Sequence, residues 1–168
     1  MKPLAAATAA AFLACILAAN YVTTEYGMVP VLWTTATAGT YLAGLTFVLR
    51  DSLQDALGKW FVLGLIGAGA LLSYLISDPF IALASGVAFA VAEVADLLVY
   101  TPLRRKGYIR AAVASNVVGA VVDTVLFLWI AGFPIADAWQ GQITGKLTVT
   151  LVVVLAVAGV RTRRVALA

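Results

Sequence analysis

The chain has 168 residues, of which 63% are hydrophobic and 11% charged, with a net charge of +3. A soluble domain carries about 25% charged residues, so this composition excludes a water-soluble globular protein and makes the lipid bilayer the solvent. At about 20 apolar residues per spanning helix, the length holds roughly six helices with short connections, which reads as one transmembrane domain over residues 1–168.

Apolar runs predict helices over residues 3–20, 34–50, 60–77, 79–100, 109–131 and 142–160. In the first, "AAATAAAF" places Ala5 and Ala9, and Ala6 and Ala10, one helical turn apart, a small-residue face that lets another helix approach closely. Its basic start and the small residues Ala18 and Ala19 also fit a signal peptide. Removing the run would leave five spans and put the charge-rich loops out of phase, so it is read as a span. "YGMVPVLW" is then a loop or a re-entrant segment packed on the bundle. After the second span, "LRDSLQDALGKW" sets Asp51 and Asp55 at i,i+4 with Arg50 and Lys59 around them, the pattern of a salt-bridged cytoplasmic connection. Pro79 in "SDPF" lacks an N–H and restricts Asp78, which places a turn between the third and fourth spans. "TPLRRKGY" and "AGFPIAD" punctuate the later ones.

Lys2 precedes the first span, Arg50 and Lys59 flank the connection after the second, Arg104, Arg105, Lys106 and Arg110 crowd the one after the fourth, and Arg161, Arg163 and Arg164 follow the last. The alternate connections, near Glu25, Asp78 and Asp137, have no Lys or Arg before Lys146. The positive-inside rule therefore puts both termini in the cytoplasm, residues 101–110 inside and 132–140 outside. Basic residues at helix ends, rather than along a face with interleaved aromatics, do not mark a nucleic-acid partner. A single cysteine, Cys15, and no histidine exclude an intrachain disulfide and a Cys/His metal site, and no cofactor is implied.

Acids inside the spans are the candidate functional groups. In "VAEVADLLVY", Glu93 and Asp96 are i,i+3 neighbours. If that helix reaches the cytoplasm near Tyr100, they lie about 10 and 6 Å inside. Asn116 lies about 9 Å and Asp123 about 20 Å from the same surface on the next span, so Glu93 and Asn116 share a depth. Ser115 and Gly119 form a small-xxx-small pair that brings the two helices together, and Gly119 clears space beside Asp123. Asp96 has two readings: an acid paired with Arg104 or Arg105, or a functional one. A charge at the bilayer centre costs at least about 2.5–3.5 kcal/mol, and no basic residue falls obviously at the depth of Asp123, although Lys146 lies within reach.

"LRDSLQDALGKW", "VAEVADLLVYTPLRRKG" and "ASNVVGAVVDTVLFLWIA" resemble the signatures of the VUT family, the queuosine precursor transporters. The likeness runs over residues 20–131, and Asn20 also matches an asparagine of the family. It implies an all-α, six-helix integral membrane protein of the bacterial cytoplasmic membrane. The implied helical arrangement resembles that of the substrate-binding subunits of energy-coupling-factor transporters, and the implied activity is import of a 7-deazaguanine base. The substrate-binding residues it implies are Asp123, Asn116, Glu93, Asp96, Asn20, Asp51 and Asp55. Asp55 stands where the family often has Glu, and Glu93 where it often has Gln, differences that bear on the substrate rather than the class.

The residues suit that chemistry. A guanine-like ring offers adjacent N–H donors to a carboxylate, an exocyclic oxygen to an amide such as Asn116, and flat faces to Phe89, Tyr100 or Phe127; an aminomethyl precursor adds a cation. Two transport readings stand side by side: a stand-alone importer, and a substrate-binding subunit that docks an energising partner on the Ala5/Ala9 face. The chain has no phosphate-binding loop, so ATP use would come from a partner. Homo-oligomerisation is left open. An intramembrane enzyme has no Cys/His pair and no serine with an evident base to support it.

Overall fold

The computed structural model describes residues 3–106 and 108–166, with side chains except at 104, 108–113, 154 and 156–166. Lys2 and the side chains of Arg104, Arg110, Arg161, Arg163 and Arg164, which carry part of the topological expectation, lie outside the described residues. Among the described residues there are six helices, α1 (Pro3–Tyr26), α2 (Thr40–Leu57), α3 (Lys59–Ile76), α4 (Pro79–Leu103), α5 (Tyr108–Ile130) and α6 (Ile135–Ala166). A short 3-10 turn, Arg104–Lys106, links α4 to α5. Between α1 and α2 lies a hairpin of β1 (Met28–Val31) and β2 (Thr34–Thr37).

Where the sequence carries strong stops, expectation and structure agree within a few residues. Asp78 caps α4: its Oδ1 accepts from the amides of Phe80 at 2.9 Å and Ile81 at 3.1 Å, using donors that the first helical turn leaves free. The second and sixth helices are displaced. The segment 27–39 is neither a plain loop nor a re-entrant helix but an antiparallel hairpin that pairs Met28 with Thr37 and Val31 with Thr34. It pushes the start of α2 to Thr40 and carries the helix on to Leu57, so Arg50, Asp51 and Asp55 are helical rather than in a connection. Helix α6 begins at Ile135, seven residues before the expected start at 142, because its polar first turns pack on β2. There Thr34 and Thr35 donate to the carbonyl of Asp137 at 3.0 and 3.1 Å. A Cβ on Gly141 would sit 2.2 Å from Thr35 O, so only glycine permits this approach.

The molecule is apolar outside and polar within, as a bilayer requires. Leu71, Leu75, Phe80, Leu98, Trp129, Leu151 and Leu155 are more than half exposed, whereas Asn20, Arg50, Glu93, Asp96, Asp123, Gln142 and Lys146 are buried. Helices α1, α3 and α4 are long and apolar enough to cross a membrane, and 114–130 of α5 is a shorter apolar stretch. Helices α2 and α6 carry Arg50, Asp51, Asp55 and Lys146 along their length. The core joins Phe12 and Ile16 of α1, Phe47 and Leu53 of α2, Val62 and Ile66 of α3 and Phe89 of α4. Ala9 belongs to this core and is buried, and Ala5 one turn before it is half-buried.

Candidate functional site

Helix α2 continues to Leu57, and Arg50 within it turns inward and is buried. Its guanidinium lies 5.5 Å from the ring centroid of Phe47, which stacks on Phe89 of α4 at 5.1 Å. Arg50 Nε and Nη2 donate to Asp51 Oδ1 at 2.9 and 2.7 Å, Nη1 donates to Glu93 Oε2 at 2.5 Å, and Nη2 also donates to Asn116 Oδ1 at 3.2 Å. One side chain thus ties α2 to α4 and α5. The planar fork of arginine suits this role, since it offers five donors in fixed directions.

Around this arginine opens a cleft of about 470 Å³ lined by Arg50, Asp51, Gln54, Asp55, Asp96, Tyr100, Ser115 and Asn116. Asp96 reaches it because Gly119 of α5 lies against it; a Cβ on Gly119 would sit 3.6 Å from Ala92 O and 3.7 Å from Asp96 Cβ. The space that Gly119 provides is thus beside Asp96, not beside Asp123 as the sequence suggested. Among the described residues, Arg50 pairs with Asp51 and Glu93 and shares the cleft lining with Asp51, Asp55 and Asp96. Two of their oxygens, Glu93 Oε1 and Asp96 Oδ1, are buried and have no hydrogen-bond partner. Arg105 is exposed. Buried acceptors are ordinarily satisfied, and an unpaired buried carboxylate oxygen is costly.

A second polar group lies farther along the bundle. Lys146 of α6 is fully buried and donates from Nζ to Asp123 Oδ2 at 2.7 Å and to Thr124 Oγ1 at 2.9 Å. The longer α6 explains the meeting: Lys146 stands eleven residues inside the helix, about 16 Å from its start, instead of near its mouth. Asp123 therefore has a cation at its own depth. Asp123, Lys146, Asn20 and Gln142 border a cavity of about 50 Å³, where Asn20 Nδ2 donates to Ser73 Oγ at 3.0 Å and Gln142 Nε2 to Thr37 Oγ1 at 2.7 Å.

The structure brings Asn116, Glu93, Asp96, Asp51 and Asp55 together around Arg50, and sets Asp123 and Asn20 apart at the smaller cavity. One guanidinium bridges Glu93 and Asn116, but only Asn116 lines the cleft. Sequence reasoning missed Arg50 and Gln54 as cleft residues and Gln142 as a cavity residue. The available signal for Arg50 was its place within an unbroken helical pattern from Thr40 to Leu57. Of the aromatics, Tyr100 lines the cleft, Phe127 lines the cavity, and Phe89 borders the cavity while stacking on Phe47.

No curated protein and no solved structure matches the chain. The profile of a family described as "Putative vitamin uptake transporter" matches residues 9–162.

Proposed function

From the premise that this chain belongs to the vitamin uptake transporter family, we propose that it imports a queuosine precursor, a 7-deazaguanine-type base, into the bacterial cytoplasm. Residues 1–168 act as one six-helix transmembrane domain with both termini cytoplasmic, so the cleft around Arg50 faces the cytoplasm. The observation that carries the reading is the cleft's surplus of carboxylates, Asp51, Asp55 and Asp96 against the one cation Arg50 among the described residues, with Asp96 Oδ1 lacking a hydrogen-bond partner. Such a site calls for a ligand rich in N–H donors or bearing a cation.

A 7-deazaguanine supplies the donors. Its ring N–H and exocyclic amine face Asp96, the amide N–H₂ of Asn116 reaches the exocyclic oxygen, and the ring of Tyr100 covers one face. Asp51 and Asp55 suit an aminomethyl cation at the mouth. Asp123 and Asn20 meet the base at the smaller cavity during passage. Labelled base offered to cells lacking their own importer tests the reading: the wild-type chain restores uptake, and Asp96→Asn, equally expressed, does not. Equal uptake by both would end it. The helical arrangement is read as like that of energy-coupling-factor substrate-binding subunits. In the alternative reading the chain needs a separate energising module, and uptake then survives an ionophore but fails without that partner.

A further inference from the structure

The acids at the mouth of the cleft lack the cations that the sequence places beside them. Asp55 and Lys59 stand at i,i+4, a spacing that makes a salt bridge only along an unbroken helix. Helix α2 ends at Leu57, Gly58 turns the chain at a φ of 85°, and Lys59 opens α3. The Lys59 ammonium lies 5.3 Å from the ring centroid of Trp60 and pairs with no acid among the described residues. Arg105 and Lys106 are exposed and likewise pair with none of the cleft acids. Asp55 therefore has no hydrogen bond and no ion pair among the described residues.

Arg50 does not make up the difference. Its hydrogen bonds go to Asp51 Oδ1, Glu93 Oε2 and Asn116 Oδ1. Asp51 Oδ2 is left without a bond among the described residues. On the facing helix α4, Asp96 is 7% exposed, and its Oδ1 has no partner either. A buried acceptor in the wall of an open cleft calls for a donor from a ligand. The charges of Asp96 and Asp55 both act on Asp51, so the three acids form one field. Three carboxylates against one guanidinium leave the lining with a surplus of two negative charges among the described residues.

We propose that the cleft selects a cationic ligand: a 7-deazaguanine bearing a primary ammonium binds in preference to the same ring without charge, and Asp51 with Asp55 holds that ammonium. The proposal rests on the importer reading above and names the substrate within it. Asp51 and Asp55 are one turn apart on α2, a spacing that sets their Cβ atoms about 5–6 Å from each other. An ammonium between them donates to Asp51 Oδ2 and to Asp55, while the ring N–H groups fill Asp96 Oδ1. A neutral substituent of the same size leaves the two carboxylates repelling each other. A hydroxyl also brings one donor where an ammonium brings three, and a bond between ionised partners is about twice as strong as a neutral one.

Equilibrium binding to the purified protein in detergent tests this with two probes, 7-aminomethyl-7-deazaguanine and its 7-hydroxymethyl isostere, which replaces the ammonium by a hydroxyl. The ammonium compound is expected to bind at least about tenfold more tightly, the worth of one hydrogen bond to a charged group. Asp55→Asn is expected to lower that ratio at least about threefold, within the range of an exposed ion pair, and Asp55→Glu to keep it. Asp55 has no bond within the protein to lose, so the fold does not depend on it. Equal affinity for the two compounds, or an unchanged ratio in Asp55→Asn, would overturn the selectivity and leave the importer reading standing. Binding of neither compound would instead refute the importer reading.

Discussion

The two buried polar groups of this bundle use similar residues to opposite effect. At the one that the proposed topology makes the outer, a lysine faces one aspartate, a threonine takes a further ammonium hydrogen, and the space beside them holds about 50 Å³. At the one it makes the inner, a single arginine serves a set of carboxylates, Asp96 Oδ1 is unfilled, and the space is about 470 Å³. A balanced pair in a tight space is a fastening. A surplus of one sign beside an open space is a place for a ligand, because the missing donors must come from elsewhere.

Removing the centre of the inner group should have the largest effect on stability. Arg50→Met leaves Glu93 and Asp51 without their donor, and loss of one partner from a buried pair costs about 3–5 kcal/mol. Little monodisperse protein is expected on size-exclusion chromatography after mild heating, whereas Arg50→Lys retains more. At the outer group, Asp123→Asn removes the charge but leaves an amide oxygen for Lys146, so the expected loss is smaller, about 2–3 kcal/mol. Uptake per folded molecule should fall at least about tenfold, the worth of one hydrogen bond to a charged group, in both Asp123→Asn and Asp123→Ala; normal uptake per folded molecule in both removes Asp123 from the site. The double variant Asp123→Leu with Lys146→Met should recover most of the stability, since a buried ion pair replaced by apolar groups is often neutral or stabilising.

The sharpest contrast is Asp96→Asn, which should abolish uptake while costing no more than about 1 kcal/mol of stability, because Asp96 Oδ1 makes no hydrogen bond and the carboxylate meets Arg50 only through its charge. A fall of more than about 1 kcal/mol would mark Asp96 as a fastening instead. Gly119→Ala should do least to the fold, within about 1 kcal/mol, since its Cβ would meet neighbours at ordinary distances of 3.6–3.8 Å. Its methyl would narrow the space beside Asp96, and a rise in the substrate concentration for half-maximal uptake would report that.

Which parts were legible follows from what decides each boundary. Helices α3, α4 and α5 end at Pro, Gly or charged turns, and local chemistry suffices to place them within a few residues. The starts of α2 and α6 depend on each other through the hairpin, a tertiary contact with no local signature. That error propagated to the site. With α2 ended at residue 50, Arg50 read as a residue at the membrane surface; with α6 begun at 142, Lys146 stood near the mouth of its helix and was named only as within reach of Asp123, with which it pairs. The acids were found because charge in an apolar run is conspicuous. The partner of Glu93, Arg50, was missed because depth, unlike composition, needs a correct origin.

The unequal lengths of the helices tie the protein to its membrane. Helix α3 has 18 residues and α4 has 25, which at 1.5 Å per residue makes them about 27 and 37 Å long. A hydrocarbon layer is about 30 Å thick, so α3 suits an upright position and α4 must lean by roughly 35° or extend into the headgroups. Thicker lipid therefore overreaches α3 first and draws α4 upright, altering the angle between two neighbouring helices. Because α4 carries Asp96 and Tyr100, bilayer thickness would reach the cleft through the tilt of one helix.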